Sequence, residues 1–130
     1  MKILVGYDGS NPAKDALKLA KEHAKVFGAE VDVVTSMTKA NVNQMQKLEK
    51  VELGLEYAKA FLTEDQVHCE THLLIRGLSP GEDLAQFAEE NDIHEIIVGL
   101  KRRSKVVKLL MGSTAQHLVL RASCPVITIK

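Results

Sequence analysis

Residues 95–114 combine a strand end, a basic run and a helix start. The apolar residues 96–98 stop at Gly99, and a helical pattern begins after residues 112–114. Backbone N–H groups at a helix N-terminus have no partner inside the helix, and the helix dipole favours negative charge there. Between these features lie five basic residues: Lys101, Arg102, Arg103, Lys105 and Lys108. This order predicts a site for an anionic small molecule.

Charge and composition exclude several classes of protein. The 130 residues carry 17 basic and 17 acidic side chains, and no acid follows Glu95. One basic loop on a neutral chain lacks the broad basic face of a nucleic-acid-binding protein, and two Tyr, three Phe and no Trp are too few for a base-stacking platform. No apolar run approaches the roughly 20 residues of a membrane span, and we expect no signal peptide, since Met1 runs straight into a strand pattern. We expect a cytoplasmic protein without membrane or nucleic-acid partners.

Strand and helix patterns alternate along the chain. The strand patterns lie at residues 2–7, 31–37, 67–75, 95–99 and 126–129, and the helix patterns at residues 12–27, 41–61, 80–90 and 113–122. Short connections and right-handed crossovers favour a parallel, doubly wound sheet. We therefore predict an α/β fold in a single domain, residues 1–130, with five mainly parallel strands in the order 3-2-1-4-5 and four helices. Spacing alone does not prove that order.

This sheet would bring two separate features of the sequence together. Ligands of open parallel sheets bind beyond the carboxyl ends of the strands, where the strand order reverses. In the order 3-2-1-4-5 the reversal falls between strands 1 and 4. Asp8 follows strand 1 and Gly99 ends strand 4, so the carboxylate and the basic loop would converge on one crevice.

Two stretches of the chain resemble the universal stress protein family, ILVGYDGS near the start and IIVGLKRRSKVVKLLMGSTAQHLVLRASCPVITI near the end. Family members that bind ATP carry Gly, two residues, Gly, nine residues, Gly, and then Ser or Thr. Gly99, Gly112 and Ser113 match these positions, whereas Arg102 replaces the second glycine. The resemblance covers essentially the whole chain and implies an adenine nucleotide alpha hydrolase-like fold.

The resemblance also implies a role for each matching residue. Asp8 is expected near the ribose and adenine, and Ser36 would present its backbone to the adenine edge. Gly99 would let the chain pass close to the ribose. The backbone N–H groups of Gly112, Ser113 and Thr114 would donate hydrogen bonds to the phosphates. The Ser113 hydroxyl would donate as well.

Arg102 leaves two functions open. Glycine permits close approach and positive φ, which Arg does not, yet Arg adds a permanent charge and a donor fork suited to phosphate. The first function is reversible binding of ATP, ADP or AMP, with or without Mg²⁺, by a dimeric stress-response sensor or partner switch. The alternative is a non-nucleotide interaction module, in which Arg102 closes the pocket and the basic loop docks an acidic protein partner.

Catalysis and metal binding find little support in the sequence. Neither GxxxxGK[ST] nor GxGxxG occurs, and Ser10 and Ser113 are interpreted as helix caps rather than nucleophiles. No catalytic base is evident, so no catalytic residue is predicted and ATP hydrolysis would be slow or absent. His68 and His72 would share one face of strand 3 but lie about 13 Å apart, so no metal site is predicted.

The last strand pattern, residues 126–129, would form an edge of the sheet. An exposed edge with Val and Ile side chains promotes aggregation unless something covers it, and pairing with a second copy across a two-fold axis would do so. The family resemblance implies the same dimer. We therefore predict a homodimer through residues 126–129, with an edge shielded by the chain's own loops as the alternative.

Overall fold

The computed structural model describes residues 1–100 and 111–130. The predicted roles of Arg102 and of the other basic residues between Lys101 and Lys108 therefore lie outside the described residues. The strands are β1 (Lys2–Gly6), β2 (Glu30–Ser36), β3 (Cys69–Leu74), β4 (Glu95–Gly99) and β5 (Val126–Ile129). The helices are α1 (Asn11–Phe27), α2 (Lys39–Val42), α3 (Met45–Thr63), α4 (Pro80–Glu90) and α5 (Ser113–Arg121).

The five strands form one parallel sheet in the order β3-β2-β1-β4-β5. This confirms the predicted strand order. Gly6 of β1 lies opposite Val34 of β2 on one side and Val98 of β4 on the other. The strand order therefore reverses between β1 and β4, and the carboxyl ends of these central strands meet at one edge.

Helices cover both faces of the sheet. Alternate residues of a strand point to opposite faces, so β1 contributes Ile3 and Val5 to one core and Leu4 to the other. The first core lies against α1 and α3, with Leu17 and Leu62 completely buried. The second core lies against α4 and α5. Both faces of the central strands are buried, as the continuous apolar runs in their sequence predict.

The prediction of one helix over residues 41–61 is wrong, and with it the count of four helices. Thr38 caps α2 by accepting a hydrogen bond from the Asn41 N–H at 3.2 Å. The backbone of Gln44 is extended (φ −100°, ψ 100°), and α3 starts only at Met45. A threonine cap and a single extended residue are local turn features that helical periodicity does not reveal. The described residues thus contain five helices.

The two cysteines behave as small apolar side chains. Cys69 is 3% exposed, and burial raises the pKa of its thiol to about 11. Cys124 is half-buried, and burial, with a smaller contribution from Glu95, raises its pKa as well. Both thiols are therefore protonated at neutral pH.

Across residues 1–100 and 111–130, no helix is both long enough and apolar enough to cross a membrane.

Candidate functional site

A cavity of about 480 Å³ opens at the carboxyl ends of β1 and β2. Two residues singled out in the sequence, Asp8 and Ser36, line it. The rest of its wall comes from the strand ends and from three helices: Tyr7, Gly9, Lys14, Thr35, Met37, Asn41, Lys47, Lys50, Val51, Leu53, Gly54 and Tyr57. The cavity thus lies beside the point at which the strand order reverses.

Asp8 is held in a defined position at the mouth of this cavity. Its side chain is exposed, and Oδ1 accepts hydrogen bonds from the Ser10 N–H at 3.0 Å and from the Ser10 hydroxyl at 2.5 Å. Gly9 between them has a φ of +79°, which favours glycine. Ser10 in turn caps α1 by accepting from the Ala13 N–H at 3.3 Å. The start of α1 therefore orients the carboxylate.

The carboxyl ends of β1 and β2 are tied together by buried hydrogen bonds. Tyr7 donates its N–H to the Val34 carbonyl at 2.9 Å, and the Thr35 hydroxyl donates to the Tyr7 carbonyl at 2.6 Å. The Ser36 hydroxyl donates to Oδ2 of Asp83 at 2.7 Å. This hydroxyl therefore ties the end of β2 to α4.

Asp83 is the centre of a polar network that the sequence reasoning missed. Its side chain is 0% exposed, and Oδ1 accepts from Nε of Arg76 at 2.6 Å. Arg76 also donates to the Asp83 carbonyl at 3.1 Å and to Oε1 of Glu90 at 2.9 Å. The network joins the end of β2, the chain after β3, and both the first turn and the last residue of α4. Asp83 lies in the first turn of α4, where acids are common because they suit the helix dipole, so its local pattern gave no sign of a buried ion pair.

The cavity is aromatic and basic. Lys14 lies over the ring of Tyr57, with Nζ 5.4 Å from the ring centroid, a cation–π distance. Tyr7 is buried, and its pKa is raised above 10.0 by burial first and then by Tyr57 and Asp8. Among the lining residues three are lysines and one is an acid. An apolar ligand that carries negative charge suits such a surface.

Lys47 and Lys50 supply this charge from α3, in positions that sequence reasoning missed. They lie three residues apart, which places them on one side of the helix. Lys47 donates to Oδ1 of Asn41 at 3.2 Å, which links α3 to α2. The spacing of the two lysines was visible in the sequence. That α3 packs them against the ends of β1 and β2 was not.

The predicted start of a helix at residues 112–113 is confirmed, but the interpretation of Ser113 as its cap is wrong. Gly112 is the N-cap of α5, and Ser113 is the first helical residue. No side chain of the described residues caps this helix. Gly112 has an extended backbone (φ −66°, ψ 164°), which any residue adopts, and an added Cβ would meet no described atom within 4 Å. Neither conformation nor packing within the described residues therefore requires glycine here.

Gly99 differs from Gly112 because the protein itself fills the space beside it. A Cβ on Gly99 would lie 2.3 Å from the carbonyl carbon of Pro12 and 2.4 Å from its oxygen. The end of β4 therefore packs directly on the first turn of α1. The family resemblance implies close approach of a ribose at Gly99, and the structure gives a separate packing reason for glycine there.

The sheet topology brings these groups to one edge. Asp8 follows β1, Ser36 ends β2 and Gly99 ends β4, and these strands are parallel neighbours. The helix that follows a strand in a parallel sheet runs back along it, so α5 begins at the carboxyl edge too. The cavity walls include Asp8 and Ser36 but not Gly99, Gly112, Ser113 or Thr114.

Known proteins are similar to this chain in fold and in sequence. A model of the universal stress protein family matches residues 1–130. A universal stress protein of Methanocaldococcus jannaschii is 28% identical over 141 residues, which span 99% of this chain and 81% of the relative. A universal stress protein structure from Archaeoglobus fulgidus is 32% identical, with a TM-score of 0.86 and coverage of 99% of this chain and 96% of that one.

A second structure from Archaeoglobus fulgidus is a universal stress protein in complex with dAMP. It is 29% identical to this chain and has a TM-score of 0.79. The match covers 99% of this chain and 95% of that one. Because the family match runs from residue 1 to residue 130, this chain belongs to the universal stress protein family.

Proposed function

We propose that this protein reversibly binds an adenine nucleotide at the carboxyl edge of its sheet. The observation that carries the proposal is the pairing of a basic, aromatic cavity beside Asp8 with the start of α5 at the same edge. The Archaeoglobus fulgidus relative in complex with dAMP supports it, since the two chains are 29% identical over nearly their whole lengths.

Each part of the nucleotide meets a suitable group in this arrangement. The base enters the cavity against Tyr7 and Met37, and the backbone of Ser36 contacts its edge. The carboxylate of Asp8 accepts hydrogen bonds from the ribose hydroxyls. Backbone N–H groups at the N-terminus of α5 bind the phosphates, where the helix dipole favours negative charge. The donors there are the backbone of Gly112, Ser113 and Thr114 and the hydroxyl of Ser113. Gly99 would lie beside the ribose, and Arg102 would add positive charge.

Binding rather than turnover is the proposed activity. We propose that residues 1–130 act as a single cytoplasmic domain, and that occupancy by ATP, ADP or AMP switches a protein partner in a stress response. Mg²⁺ would accompany ATP through its phosphates. No catalytic residue is assigned, and ATP hydrolysis would be slow or absent.

Replacing Gly112 by alanine tests the phosphate contact. We expect wild-type protein, stripped of ligand, to bind ATP, ADP or AMP in isothermal titration calorimetry, and Gly112→Ala to bind about tenfold more weakly, which is about 1.4 kcal/mol. The added methyl group would occupy the space that the phosphates need. Met111→Ala, at the exposed neighbouring position, is the control and should bind like wild type. Absence of heat with all three nucleotides would refute the proposed function.

The Arg102→Gly variant identifies which function applies if wild-type protein does not bind. It restores the motif glycine that the family resemblance points to. Binding confined to this variant would show that Arg102 excludes the nucleotide, in favour of the interaction module.

The proposed homodimer pairs β5 with its own copy. The Ile96 N–H donates to the Pro125 carbonyl, and the Leu100 N–H donates to the Ile129 carbonyl. The backbone N–H and C=O groups of the odd-numbered residues in and next to β5 therefore point toward β4. Backbone groups of Val126 and Thr128 consequently point to the outer edge. All four β5 side chains are only half-buried, which leaves apolar surface for a partner copy.

Removing one outward N–H should break this dimer. Thr128→Pro deletes an N–H on the outer edge while leaving the bonds to β4 in place, as proline on an edge strand allows. We expect sedimentation velocity to give a dimer for wild type and a monomer for Thr128→Pro. Thr128→Val keeps the N–H and should remain dimeric. A monomeric wild-type protein would rule the interface out.

A further inference from the structure

We propose that Asp32, Glu70 and His72 form a binding site for a first-row divalent transition metal such as Zn²⁺. The three residues lie on β2 and β3, on the face of the sheet that α4 covers. Asp32 is four residues before Ser36, about 13 Å along the strand, so the site is separate from the nucleotide cavity. The proposal goes beyond nucleotide binding and does not depend on it.

Strand register brings the three side chains together. Asp32 lies directly opposite Glu70 in the parallel pair of β2 and β3, and His72 is two residues further on and on the same face. Nε2 of His72 is 2.8 Å from Oδ1 of Asp32. One donor atom from each residue lies within 4.8 Å of the other two. An ion between them needs only small side-chain rotations to reach metal–ligand distances of about 2.0–2.2 Å.

Two of the three ligands are already held in place. The Asp32 side chain is 8% exposed, and the His72 ring packs on Phe87 with 4.8 Å between the ring centroids. This packing restricts the rotation of the imidazole before the metal arrives. Glu70 is 62% exposed and reaches the site from solvent. The ion would therefore have three protein ligands and keep its remaining positions for water.

The donor set indicates the class of metal. One imidazole nitrogen with two carboxylates suits Zn²⁺, Co²⁺ or Mn²⁺, whereas Ca²⁺ prefers oxygen ligands alone. Lys2 places Nζ 3.8 Å from Oδ2 of Asp32 and competes with the metal for that carboxylate. His68, with Nε2 3.7 Å from Oε1 of Glu70, stands beside the site and can orient Glu70.

His68 and His72 alone, four residues apart in and next to β3, are too far apart to share a metal ion. The ligand that completes the site, Asp32, comes from the neighbouring strand forty residues earlier. The motif His-x-Glu-x-His at residues 68–72 presents alternate side chains on one face of a strand. Only the pairing of β3 with β2 adds the buried carboxylate that makes the motif a three-ligand site.

Titration of the metal-stripped full chain with ZnCl₂, in the absence of nucleotide, tests this site. We expect one Zn²⁺ per chain by calorimetry and a higher melting temperature with Zn²⁺, because a ligand that binds the folded state stabilises it. His72→Gln and Glu70→Gln should each weaken binding at least about tenfold, since even outer-shell partners of a metal contribute that much. Both side chains are partly or largely exposed, so both variants should fold.

Two further variants sharpen the test. Glu89→Gln removes an exposed acid from α4 and should bind Zn²⁺ like wild type. Lys2→Met removes the competing ammonium and should tighten binding. Absence of saturable Zn²⁺ binding, equal binding by His72→Gln and wild type, or weaker binding by Lys2→Met would each overturn the proposal. None of these results bears on nucleotide binding, which is measured separately.

Discussion

Replacing Asp83 by alanine is expected to lower the free energy of unfolding by about 3 kcal/mol, a large part of the stability of a typical domain. The Asp83 carboxylate is completely buried and accepts from both Arg76 and Ser36. Its removal leaves Nε of Arg76 and the Ser36 hydroxyl without their acceptor in a partly buried site. Urea denaturation followed by circular dichroism measures the change.

A neighbouring ion pair supplies the control for Asp83. Glu90 binds the same Arg76, but its side chain is 47% exposed, and exposed ion pairs contribute about 0–1 kcal/mol. Glu90→Gln should therefore change stability by less than about 1 kcal/mol. If Asp83→Ala costs no more than Glu90→Gln, the buried network does not hold β2 to α4. Asp83→Asn, which keeps the size of the side chain, should fall between the two.

Alanine at Gly99 should destabilise the protein by about 3 kcal/mol, the upper end for overpacking. The new Cβ would lie within 2.6 Å of three atoms of Pro12, two of them backbone. Backbone at the first turn of α1 cannot rotate away as a side chain does, so β4 and α1 must separate. Thermal and urea denaturation measure the loss of stability.

Gly112→Ala is the matched control for Gly99→Ala, because both glycines belong to the same motif. Gly112 has an extended backbone and no described atom near an added Cβ, and Ala at an N-cap costs less than about 1 kcal/mol relative to Gly. We expect a stable fold with weakened nucleotide binding. Equal stability of the two variants would mean that the contact of Gly99 with Pro12 contributes little.

Local patterns predicted the five strands and three of the five helices in the described residues. Continuous apolar runs predicted β1 and β4 because strands buried on both faces need apolar side chains throughout. Glycine and serine at positions 112 and 113 predicted the start of α5 because a helix begins where its cap residues occur. The break between α2 and α3 was not predicted, because a threonine cap at Thr38 and one extended residue at Gln44 leave the helical periodicity almost unchanged.

The sequence by itself determined the strands, most of the helices, the family and the residues at the strand ends, because these depend on neighbours along the chain. Only the tertiary structure decided which distant side chains meet: Ser36 with Asp83, Asp32 with His72, and Gly99 with Pro12. Those contacts depend on strand register and on how helices pack across the sheet. A shift of one residue in register would reverse the faces of a strand, so no local pattern contains them.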